Sequence, residues 1–218
     1  MTIVRNISLP LSLDEVAELS SFRCQGLIRP KVSEVLDQIQ QENIFEPALS
    51  YSLNPVGLLY GIWTKAPLAA HKFRGASQVA IGFLTLGPRI AAHIQVLFDQ
   101  GAQLKALIAE GIANYALFKL QNIFLEMIVR EAVRQNHQAS GILSPGEQGF
   151  DISLQDILLS LAGGHEIDLK LTKTGMINPR HSLSALIGIG PKMKQWTQVD
   201  NCGNCAANDR CIYQERKA

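Results

Sequence analysis

The chain has 218 residues, 47% of them hydrophobic and 18% charged, with a formal net charge of +1. That length supports one sizeable core, the charge content argues against extended disorder, and the near-neutral balance gives no field that would gather nucleic acid or an anionic membrane. Met1 to Leu13 lacks the apolar stretch of a secretory leader, and no uncharged apolar run reaches the ~18 residues of a membrane span, so a cytoplasmic protein is expected.

Taken in order, Ser12 is a cap candidate for a short helix over Asp14–Leu19, and the segment around Arg23–Gly26 reads as a loop. Pro30 stands near the start of a helix over Lys31–Gln41, whose Val32, Val35, Leu36 and Ile39 fall at helical spacing. Ile44–Leu53 breaks that period and reads as the first strand, and Val56–Trp63 is apolar enough for another. The cationic run Lys65–Gly75 reads as a solvated loop face, with an anion-contacting surface as the alternative.

Gln78–Leu86 is a strand closed by Gly87-Pro88, and a helix follows that carries Ile90, Ile94, Leu97 and Phe98 along one face and stops at Gly101. Leu104–Gln135 is the longest periodic segment; its apolar stripe is wide enough for a scaffold helix buried on more than one side. A loop at Ser144-Pro-Gly then leads to a helix over Ser153–Leu161, capped by Asp151 or Ser153 and stopped at Gly163-Gly164. Ile167–Leu171 and Leu183–Ile189 read as two strands flanking a polar turn at Pro179–Ser184. Long helices between strands without a regular βαβ rhythm point to an α+β fold.

Three of the four cysteines form a C-x2-C-x5-C run, Cys202, Cys205 and Cys211. Thiolates at this spacing can bite an iron–sulfur cluster or zinc, with Cys24, His165 or His181 as the remaining candidate ligand. Ordinary reduced thiols account for the run equally well. No nucleophile elbow, phosphate loop or H-E-x-x-H occurs, which leaves no ground for an independent hydrolase, and whether the chain is itself an enzyme stays open.

Between the last two strands stand Leu171, Thr172, Thr174, Met176, Pro179, Ser182, Leu183, Ser184 and Ala185. This pattern resembles the signature of the reactivation domain of cobalamin-dependent methionine synthase. Upstream, Leu143-Ser-Pro-Gly-Glu-Gln-Gly149 resembles that family's Arg-Pro-Ala-Pro-Gly-Tyr loop, and the cysteine-bearing ending resembles its stand-alone members.

The resemblance implies an antiparallel or mixed sheet packed with long helices over residues 1–190, and a cysteine-bearing tail over 191–218. It implies an accessory protein that supports reductive reactivation of a methionine synthase-like methyltransferase by docking on its corrinoid-binding subunit, with an electron-donor protein as a further partner. Cobalamin would be met on the partner or directly. Ser144, Pro145, Gly146 and Glu147, with Met176, Pro179, Arg180, His181, Ser182 and Ser184, are the cofactor-facing residues it implies. The other reading is a non-catalytic iron–sulfur or zinc-binding interaction module.

The sequence departs from the family pattern at three places. Ile142 stands where the loop carries an arginine, Glu147 where it carries a tyrosine, and Lys173 where the hairpin carries a glutamate. An arginine can clasp an amino-acid carboxylate with two parallel hydrogen bonds and isoleucine cannot, which weighs against S-adenosylmethionine as a ligand. The functional expectation therefore requires the two turns, far apart in sequence, to meet on one concave surface.

Overall fold

The computed structural model describes residues 1–18, 28–147 and 149–196. Cys24, Cys202, Cys205 and Cys211 lie outside these, and so does the loop expected around Arg23–Gly26. Among the described residues a five-stranded sheet runs in the order β1 (Thr2–Arg5), β2 (Ala48–Pro55), β3 (Gln78–Thr85), β7 (Ser182–Gly190), β4 (Gln138–Leu143). Every pairing in it is antiparallel. Both faces are covered. Leu49, Ala80, Leu84, Ala185 and Ile187 face a layer of α2 (Arg29–Gln41), α5 (Arg89–Asp99) and α6 (Gln103–Arg134). Val79, Ile81, Phe83 and Leu186 face α3 (Tyr60–Trp63), α4 (Pro67–Lys72) and α7 (Gln155–Ala162).

The helices follow their sequence signals closely. Ser12 and Glu15 form a reciprocal capping box at α1 (Leu13–Ala17), and Gly163 ends α7 in the left-handed conformation at φ +68°. The 32 residues of α6 make a rod about 48 Å long. Ala106, Ala109, Ala113 and Ala116 lie on its buried side among Ile108, Ile112, Leu120 and Ile128, and Phe124 projects its ring onto the sheet. That ring sits over Gly82 of β3, where a Cβ would lie 2.5 Å from the Phe124 Cζ. Tyr51 stands opposite Gly82 on β2, with its ring centroid 5.6 Å from that of Phe124.

Three expectations are corrected. Val56–Trp63 is not a strand; it forms a 3-10 turn followed by α3, because Leu59 and Ile62 face inward at three-residue spacing while Leu58 and Tyr60 face water. Lys65–Gly75 is not a loop, since Pro67 opens α4; Lys65, His71 and Arg74 are nevertheless exposed as expected. Finally, Ile167–Leu171 and Leu183–Ile189 do not pair. β7 uses both of its edges on β3 and β4, so only Lys170–Leu171 becomes a strand (β5), and it pairs with Ile177–Asn178 (β6) around a turn at 172–176.

Three strands escaped the sequence reading, β1, β4 and the two-residue β6, and the strand expected at Ile44–Leu53 begins at Ala48. The packed body also continues past Gly190, the last residue of β7. Met193 is buried beside Phe73, and the Trp196 ring stacks on Phe73 at 6.1 Å between centroids. No helix among the described residues is long and apolar enough to cross a membrane.

Candidate functional site

Because neighbouring strands are antiparallel, the start of β7 lies at the same end of the sheet as the ends of β1, β3 and β4 and the start of β2. Both family-like turns are at this end. Ser144, just beyond β4, donates its hydroxyl to the Ser184 carbonyl at 2.8 Å. Its N–H donates to Glu147 Oε1 at 2.7 Å, and the loop closes through Gly146 N–H to Phe150 O at 2.8 Å. Gly146 adopts φ +95°, which glycine takes without strain, and Pro145 is buried.

The tip of the β5–β6 hairpin approaches the same region. A Cβ on Gly175 would lie 3.6 Å from Ile152 Cγ1, and one on Gly146 would lie 3.8 Å from Ile152 Cδ1. Met176 is next to that tip and 57% exposed. Ser144, Gly146, Glu147, Ser184 and Met176 are therefore neighbours on the α4 and α7 side.

Arg180 and His181 face the α6 layer instead. Arg180 Nη2 bonds Glu110 Oε1 at 2.9 Å, and His181 Nε2 lies 3.4 Å from the same oxygen without hydrogen-bond geometry. Burial pulls the His181 imidazole below its ordinary 6.5, against the opposing pull of Glu110. Ser182 is committed to Thr85, its hydroxyl bonded to Thr85 Oγ1 at 2.8 Å.

Pro179 and Arg180 line a cleft of about 670 Å³ at the sheet end, and none of residues 144–147 does. The single concave surface expected from the sequence is thus divided by the start of β7 into a loop surface and a cleft. Among the described residues no cluster of metal-ligating side chains occurs.

The departures from the family pattern have structural counterparts. The Ile142 side chain packs against the α6-side core, so that position presents no charge. Glu147 is largely withdrawn from water, which raises its carboxyl above the ordinary 4.5 against the Ser144 N–H and Lys72. A raised carboxyl binds its proton more tightly in the folded state, so its contribution to stability is present below 4.5 and is lost as pH rises through the raised value. Glu147→Gln is expected to flatten that fall in urea midpoints with rising pH; an unchanged profile would refute the assignment.

Lys72 also lies over the Trp196 ring, its Nζ 4.6 Å from the centroid, and this link between the loop and the C-terminal segment was not foreseen. Nothing in the spacing of Lys72, Glu147 and Trp196 signals that they converge.

An antiparallel sheet faced by helices on both sides, with a Ser-Pro-Gly loop tied to the start of its fourth strand in spatial order, makes this an α+β domain. The crystal structure of the MetH reactivation domain bound to AdoHcy has this fold, with a TM-score of 0.61 and 13% sequence identity over 96% of this chain and 85% of that one. The resemblance carried by the two motifs is borne out in the architecture, as is the α+β class. No protein-family model matches the sequence, and no curated protein matches it.

Proposed function

We propose that this chain supports reductive reactivation of a cobalamin-dependent methyltransferase, engaging the corrinoid-binding module through the loop surface at Gly146, Glu147 and Met176, which the buried Pro145 and Ser184 support from beneath. The observation that carries this reading is the fold likeness over 96% of the chain to a reactivation domain solved with AdoHcy. The corrin, held by the partner, supplies the metal chemistry. The tasks left to this chain are to bind and to align.

Room for close backbone approach at Gly146 fits an adenosyl-type ligand, whereas the apolar Ile142 does not supply the cation its carboxylate needs. Cobalamin and S-adenosylmethionine are therefore met chiefly on the partner in this reading. The Cys202, Cys205 and Cys211 run is its redox or metal-binding element, fed by a separate electron donor.

Titration into a corrinoid-binding methyltransferase module loaded with cob(II)alamin tests the proposal. A saturable change in the cobalamin spectrum at micromolar protein is expected. No change, together with no co-elution, would overturn it. Anaerobic purification addresses the cysteines separately: iron-bearing brown protein that bleaches in Cys202→Ser supports a cluster, and colourless, metal-free protein removes the metal role.

A further inference from the structure

The sheet-end cleft holds an unusual set of uncommitted polar groups. Asn6, Glu46, Asp168, Lys170 and Asn178 all line it, and none makes a side-chain hydrogen bond or ion pair among the described residues. Arg5 and Arg180 reach it from opposite sides, each tied elsewhere through Nη2 alone, to the Glu166 carbonyl and to Glu110. The remaining N–H groups of both guanidinium forks are available for a ligand.

The two signs of charge narrow the ligand class. Three cations, Arg5, Lys170 and Arg180, stand with two carboxylates, Glu46 and Asp168. A simple anion gains from the cations but is repelled by both carboxylates, and a simple cation suffers the reverse. A group carrying both charges satisfies both sets. Pro88, Ala91 and Pro179 add apolar wall, and about 670 Å³ is typical of a small-molecule site.

We propose that this cleft binds an amino-acid-type zwitterion, its carboxylate on Lys170 and Arg180 and its ammonium on Asp168 and Glu46. The site is separate from the loop surface, and its occupancy does not require a corrinoid partner.

L-Methionine, with a zwitterionic head and a short apolar body, is the probe. Its amine-free analogue, 4-(methylthio)butanoate, and its carboxyl-free analogue, 3-(methylthio)propylamine, serve as comparisons. NMR titration of the whole chain is expected to show saturable shifts at the Lys170 and Asn178 amides with L-methionine, and about tenfold or weaker binding of each analogue. Lys170→Gln and Asp168→Asn are expected to weaken L-methionine binding by about tenfold each. Asparagine suits position 168, whose φ is +62°, so folding is preserved there even if the lysine variant fails. Equal binding of the amine-free acid, undiminished binding by Asp168→Asn, or no saturable shift at tens of millimolar would overturn the proposal.

Discussion

Replacing Phe124 with alanine is expected to destabilise the protein by about 3–5 kcal/mol, the range for emptying a fully buried aromatic site. Phe124 is completely buried, and Leu120 and Ile128, one turn to either side of it on α6, are themselves fully buried in the same core. The sheet beneath it is shaped for the ring, since Gly82 has no side chain and Tyr51 flanks it. Chemical denaturation of Phe124→Ala measures the loss, and a change below ~1 kcal/mol would show that α6 collapses onto β3 instead. The pair also predicts non-additivity. In wild type a Cβ on Gly82 meets Phe124 at 2.5 Å, so Gly82→Ala is costly; in the Phe124→Ala background the same methyl enters empty space and costs less.

The second large effect is expected at Gly141. A Cβ there would stand 2.3 Å from the Trp196 backbone oxygen and 2.4 Å from its ring Cδ1, so Gly141→Val cannot coexist with the segment that lies across β4. Overpacking of this kind costs about 1–3 kcal/mol. Because the obstruction includes backbone, relief comes by lifting residues 193–196, which also breaks the Trp196–Phe73 stack and the contact with Lys72. A red-shifted tryptophan emission with unchanged far-ultraviolet dichroism is the expected signature. Unshifted emission in a folded Gly141→Val protein would show that the strand moves and the tryptophan stays.

Much of the helical framework was legible because it depends on local signals. The capping box at Ser12, Pro30 at the start of α2, and Gly163 after α7 each bring the physics of a helix end into a few adjacent residues. The α6 stripe repeats often enough to exceed any ambiguity of period. Strands were harder. β1 is four residues long, and β4 contains Ser140 and Gly141 at a register shift, where the pattern of alternation is interrupted.

The family-like motifs identified the fold without revealing their own topology. Leu171 and Leu183 suggested two arms of one hairpin, but pairing is decided by which edges remain free, and β7 has none. The same limit applies to the site. Ser144 and Ser184 could be paired through the motifs, whereas Glu46, Asp168 and Lys170 converge on Arg180 only through the closing of the sheet end. No sequence spacing encodes that convergence. Ile142 is the complementary case: its apolar character was visible at once, and its packing into the core gives the reason it carries no charge.

The C-terminal segment has a consequence for assembly. Trp196 donates its indole N–H to the Ile142 carbonyl of β4, an outer strand whose backbone would otherwise offer a ladder to another chain. With an indole laid over that rim, recruitment of a foreign strand there is obstructed. At that border a partner must use loops and side chains for contact, and two copies of this protein cannot zip their sheets together there unless the indole is first dislodged.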